Sequence, residues 1–86
     1  MQANLSIPIR IEAYGAVEKL LPSNLVIQSP AHADIGAALS HVAALYPEAK
    51  TLIDRCACAV GEDIVPRQTP IQHAMTLVLL SPVAGG

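Results

Sequence analysis

Apolar and polar positions alternate at the start of the chain. Leu5, Ile7, Ile9, Ile11 and Ala13 fall on one side of an extended segment, and Ser6, Arg10 and Glu12 on the other. A period of two marks a half-buried strand. Pro8 has no N–H for a ladder, so the strand is placed at Pro8–Tyr14, with Met1–Ile7 loosely attached. Gly15 leads to the turn cluster Pro22-Ser23-Asn24, and Leu25–Gln28 reads as a second strand returning as a hairpin. Ser29-Pro30 is expected to break it. The period then changes. Ile35, Ala38, Leu39, Val42, Leu45 and Tyr46 form one apolar stripe at helical spacing, behind Asp34 as N-cap. Pro47 stops this helix near Leu45, and Glu48–Arg55 has room for a further helical turn. Cys56–Val60 reads as a third strand, Gly61-Glu62-Asp63 as a tight turn and Ile64-Val65 as a short fourth strand. Pro66, Thr69 and Pro70 mark a loop before a last strand, Met75–Leu80.

That last strand is apolar on both faces, with Leu77 and Leu79 on one and Val78 and Leu80 on the other. Such a strand belongs in mid-sheet. The order strand, strand, helix, strand, strand, strand is satisfied most simply by an α+β fold. The first and last strands then lie adjacent and parallel in a mixed sheet of four to five strands, with one main helix across one face. This is the β-grasp, or ubiquitin-like, architecture. Residues 1–80 form the domain and residues 81–86 an extended C-terminal tail ending Gly-Gly.

Composition narrows the function classes. The chain has 86 residues, so one small domain is expected. Apolar residues make up 52% and charged residues 14%, the balance of a globular chain rather than a disordered one. With two Tyr and no Phe or Trp, the core must be aliphatic and no base-stacking platform exists. A net charge of −2 argues against nucleic-acid and anionic-membrane partners. No apolar run approaches the ~18–20 residues of a membrane span. The first residues, Met1-Gln2-Ala3-Asn4, lack the charged and apolar regions of a signal peptide, so a cytoplasmic location is expected.

Side chains offer little chemistry. Cys56 and Cys58 share a strand face, as a thiol relay would need, but buried small hydrophobes among alanines explain them as well. A zinc site would need two further ligands that no spacing supplies, so no metal is expected. His32, His41 and His73 are scattered, with His41 on the helix away from its apolar stripe. Glu62 and Asp63 sit on a surface turn, where solvated charge is the default. Val78, Leu80 and Val83 are different. If Leu77 and Leu79 face the helix, these three form an apolar outer patch beside the tail, suited to docking a partner. The alternative is a face partly covered by Met1–Ile7.

The ending Leu79-Leu80-Ser81-Pro82-Val83-Ala84-Gly85-Gly86 resembles the MoaD/ThiS family of ubiquitin-like sulfur carriers, and most the MoaD branch, the small subunits of molybdopterin synthase. Leu45-Tyr46-Pro47-Glu48 is similar to the family's helix exit, and Ala59-Val60-Gly61-Glu62 to its Ala-Val-Asn turn. Ser81 stands in place of the first of two prolines, and Leu79 and Leu80 in place of an aromatic pair. The resemblance implies that the carboxylate of Gly86 is the reactive group. A MoeB-like adenylating enzyme would activate it with ATP, and a persulfide sulfur donor would convert it to a thiocarboxylate. The chain itself would bind no cofactor and hold no active site. Gly85 and Gly86, without Cβ atoms, would thread a narrow channel in a MoaE-like large subunit. Val78, Leu80, Pro82, Val83 and Ala84 would contact that partner, with Pro82 holding the tail extended. The other readings are a ThiS-like carrier for a different metabolite, a protein modifier joined to lysines through Gly86, and an interaction domain with an inert tail.

Overall fold

Ile9 and Ile11, the apolar positions at the middle of the first strand, are sealed from solvent, and the sheet is built outward from them. The computed structural model describes residues 6–82. Five strands, β1 (Ser6–Tyr14), β2 (Leu25–Pro30), β3 (Ala57–Val60), β4 (Asp63–Val65) and β5 (Met75–Leu80), form one mixed sheet in the order β2-β1-β5-β3-β4. β1 and β5 run parallel at its centre, and the other pairs are antiparallel. Helices α1 (Ile35–Leu45) and α2 (Lys50–Arg55) and the 3-10 turns Gly15–Leu20 and Pro47–Ala49 complete the fold. This is the expected β-grasp.

Register decides which side chains face the helices. Ile9 lies opposite Ile27, Ile11 opposite both Leu25 and Leu77, and Leu79 opposite Cys58. These residues form one aliphatic layer with Ile35, Ala38, Leu39 and Val42 of α1 and Ile53 of α2. Burying a residue of this kind contributes roughly 1.5–3 kcal/mol. Asp34 caps α1 as expected, its carboxylate accepting the Ala37 N–H at 2.8 Å. Of the last two stripe positions, Leu45 is exposed instead and only Tyr46 packs against the core. The chain has left the helix by Tyr46, whose ψ is 75°, so the helical spacing no longer decides which side chain turns inward.

Several boundaries differ from the sequence expectation. β1 begins at Ser6, and Pro8 lies inside it opposite Gln28. β5 pairs with β1 only from Ile9 onward, so the proline stands where the strand is flanked on one side alone. β2 continues through Ser29 and Pro30, because it is an edge strand with an open side that tolerates proline. Cys56 is the C-cap of α2 rather than a strand residue. The segment Gly15–Leu20, expected as a plain connection, is a 3-10 turn that buries Val17.

The loop after β4 is fastened to both helices. Gly36 N–H donates to the Arg67 carbonyl at 2.8 Å and Ile35 N–H to the Thr69 carbonyl at 3.0 Å, tying the loop to the start of α1. The Arg67 guanidinium donates to the carbonyls of Ile53 and Cys56, at 2.7 and 2.9 Å. Those carbonyls end α2; the Ile53 carbonyl also accepts the Cys56 N–H at 3.1 Å, and the Cys56 carbonyl lies at the C-cap. Arg67→Ala is therefore expected to destabilise the fold by about 2 kcal/mol, the scale of charge-assisted bonds lost at a half-buried site. Urea denaturation measures it, and an unchanged midpoint would show that water replaces the guanidinium without cost.

Candidate functional site

The two faces of the sheet carry different chemistry. On the side away from the helices, Tyr14 of β1 lies opposite Leu80, and Leu80 lies opposite Ala57. One row along, Glu12 faces Val78, Val78 faces Ala59, and Ala59 faces Ile64. Tyr14, Leu80, Ala57, Val78, Ala59 and Ile64 thus make one apolar surface across four strands. Ile64 is 64% exposed and Tyr14 51%, while Val78 and Leu80 are half-buried. Val78 and Leu80 lie on this outer face as expected, and its most exposed large side chains are two that strand periodicity did not single out. Ser6 and Pro8 are exposed and Ile7 packs against the core, so none of these three covers it.

The β1 side of this surface is charged. Glu12 accepts a hydrogen bond from the Tyr14 hydroxyl at 3.2 Å and lies 3.7 Å from the Arg10 guanidinium. The Glu12 carboxylate raises the Tyr14 pKa, chiefly by its charge and then by that hydrogen bond. Arg10 also reaches Asn24 at 3.1 Å. An apolar centre with a charged rim is the common composition of a protein-docking surface.

β5 ends at Leu80 on this patch, so Ser81 and Pro82 follow at its edge. Of the expected tail residues, Pro82 is exposed directly after it. Val83, Ala84, Gly85 and Gly86 lie outside the described residues. Ser81, expected as the first residue of an extended tail, is fastened to the domain. Its N–H donates to the Tyr14 carbonyl at 3.1 Å, and its hydroxyl oxygen accepts the Val17 N–H at 2.9 Å. A proline here could make neither bond.

Cys56 and Cys58 are buried, reduced and part of the core layer. Burial pushes both thiols above their ordinary pKa. The Ser81 contact and then the Arg67 guanidinium oppose this at Cys56, and Arg67 opposes it at Cys58. Neither has the depressed pKa and exposure of a reactive thiol. His32, His41 and His73 are exposed and lie apart from the patch in sequence and register. Among the described residues, no cluster of three or more His, Cys, Asp or Glu could hold a metal ion. No helix among them is long and apolar enough to cross a membrane.

The fold and its apolar face define a ubiquitin-like β-grasp protein. A model of the ThiS family matches residues 14–86, and the chain belongs to that family. No curated protein matches it. Among solved structures, small archaeal modifier protein 1 of Haloferax volcanii superposes with a TM-score of 0.79 at 13% identity, over 90% of this chain and 99% of its own. A chain from the complex of subunits 1 and 2 of the molybdopterin-converting factor of Helicobacter pylori gives 0.65 at 21%, over 93% and 100%. A ubiquitin from Caldiarchaeum subterraneum gives 0.64 at 18%, over 94% and 99%. At such identities the likeness is one of fold.

The thiols make a pH prediction with a definite sign. Their folded pKa values are raised, so the unfolded chain ionises first as pH rises. The stability this confers is full below the ordinary thiol value and is lost as pH climbs through it toward the folded one. Between about pH 8 and pH 10, the wild type should lose stability to urea more steeply than the Cys56→Ala/Cys58→Ala double variant. Parallel curves would contradict the burial of these thiols.

Proposed function

We propose that this chain is a sulfur carrier whose reactive group is the C-terminal carboxylate of Gly86. The observation that carries the reading is the junction of an apolar sheet face with the root of a Pro-Val-Ala-Gly-Gly arm. The domain offers a surface to grip and the arm offers an acyl group. Membership in the ThiS family supports it.

A carboxylate is a poor electrophile at neutral pH, because its charge repels nucleophiles and it has no good leaving group. An adenylating enzyme of the MoeB type, using ATP, would join the Gly86 carboxylate to AMP and release pyrophosphate. The terminal sulfur of a persulfide donor would then attack the acyl carbon and expel AMP. A second thiol would cleave the resulting S–S bond and leave the thiocarboxylate. No side chain of this protein takes part, which agrees with its lack of depressed thiols. The chain would bind no cofactor of its own. Gly85 would let the arm pass through a channel too narrow for a Cβ.

The acceptor we favour is the pterin precursor of the molybdenum cofactor, with this chain as the small subunit beside a MoaE-like large one. The H. pylori neighbour belongs to a complex of subunits 1 and 2 of the molybdopterin-converting factor, which supports this reading. A second reading is a protein modifier joined to lysines through Gly86, favoured by the likeness to the H. volcanii modifier. A ThiS-like role toward another sulfur-containing metabolite would share the activation steps.

Incubated with an adenylating enzyme, ATP and a persulfide donor, the protein should gain the mass of one oxygen-to-sulfur exchange. Deletion of Gly86 should abolish the gain without changing the melting temperature. A truncated chain that gains a whole sulfur atom, rather than exchanging oxygen for sulfur, would place it on a cysteine persulfide and contradict the proposal, and lysine-linked adducts would favour the modifier reading.

Docking is tested separately. Leu80→Lys and Ile64→Lys should each fold, since a lysine on the outer face can hold its ammonium in water. Against an apolar partner that charge would be desolvated. Affinity for the large subunit, measured by calorimetry, should fall at least about tenfold, which needs only ~1.4 kcal/mol. Unchanged binding by both variants would exclude this face as the docking surface.

A further inference from the structure

Three elements converge on Ser81. Its N–H continues the β1–β5 ladder one step past the last strand pair, Tyr14↔Leu80, by donating to the Tyr14 carbonyl. Its hydroxyl oxygen accepts the Val17 N–H, and Val17 is fully buried, so that donor is anchored in the core. The same oxygen lies 3.9 Å from Cys56 Sγ at the end of α2. The Cys56 thiol donates to the Leu52 carbonyl at 3.2 Å, leaving its sulfur as the acceptor for the Ser81 hydroxyl hydrogen. Gly15 makes the approach possible. At φ +88°, a Cβ on Gly15 would stand 2.8 Å from Ser81 Cβ, closer than carbon atoms tolerate.

Val17 is the third residue of the 3-10 segment Gly15–Leu20, and its N–H donates to the Ser81 hydroxyl at 2.9 Å. Ser81 therefore caps a turn 64 residues earlier in the chain. The cap and the ladder bond act on one residue, immediately before exposed Pro82. We propose that Ser81 is a positioning residue, which fixes the point at which the chain leaves the domain, at Pro82, relative to the apolar face. This rests on the carrier reading. Five extended residues reach about 17 Å at most, and each residue of slippage at the root shifts the tip by about 3.3 Å. A shift of that size is large against the tolerance of a reacting geometry. Pinning the root raises the effective concentration of the Gly86 acyl group at a site on a partner already gripped by the sheet.

The test compares wild type, Ser81→Ala and Ser81→Thr, the last retaining both N–H and hydroxyl. Three quantities are measured: amide order and exchange by NMR, affinity for the large subunit, and the single-turnover rate of sulfur transfer at saturating partner. Ser81→Ala should exchange the Val17 amide at least tenfold faster and lower the order of Leu80 and Ser81. It should slow transfer about tenfold while changing affinity less than twofold, and Ser81→Thr should restore the rate. An unchanged transfer rate in Ser81→Ala overturns the proposal, as does a rate that falls only in step with affinity. If the wild type forms no thiocarboxylate, the carrier reading fails instead. The pin is then judged by NMR alone, and unchanged order at Leu80 and Ser81 in Ser81→Ala would overturn it.

Discussion

The parallel pairing of β1 with β5 is the constraint on which the rest depends. It joins the first and last strands, Ile9–Tyr14 against Met75–Leu80, so it cannot form until nearly the whole chain has been gathered. Both strands are flanked on each side, and their inner faces supply Ile9, Ile11, Leu77 and Leu79, each almost completely buried. The same pairing decides where the arm emerges. Because the strands run the same way, the end of β5 lies beside the end of β1. Ser81 consequently meets the turn that follows Tyr14.

The two faces of this sheet divide the work. One is covered by α1 and α2 and holds the stability of the domain, including both thiols. The other is apolar over Tyr14, Val78, Leu80, Ala59 and Ile64 but uncovered among the described residues, with charge confined to the Arg10–Glu12 side. A free domain of this size would be expected to place apolar residues beneath its helices and polar ones outside. An apolar outer face at the arm's end of the sheet is the departure from that rule, and it is where a partner would remove surface from water.

The core was legible in the sequence where period and burial coincide. Alternation in β1 and the two-sided apolarity of β5 were enough to place both strands at the centre of the sheet, and Asp34 was readable as a cap. What escaped reading were contacts between residues far apart in the chain. Ile64 and Tyr14 join the patch only through register, since each looks like an isolated exposed apolar residue in its own strand. Arg67 serves carbonyls of α2 that no local pattern links to it. Ser81 looked like the first residue of a free tail because its partner is the backbone N–H of Val17, and a backbone donor leaves no mark in sequence. The turn Gly15–Leu20 was too short to show a period, and one buried residue, Val17, was its only signal.

The central claim is that the outer sheet face and the arm act together as one partner-binding unit. The most direct measurement is chemical-shift mapping of the isotope-labelled chain during titration with a MoeB-like adenylating enzyme. The largest changes should fall on Tyr14, Ala59, Ile64, Val78, Leu80 and the residues after Ser81, with α1 and the open edge of β2 left unmoved. Changes centred on α1 and β2, with the outer face silent, would contradict it.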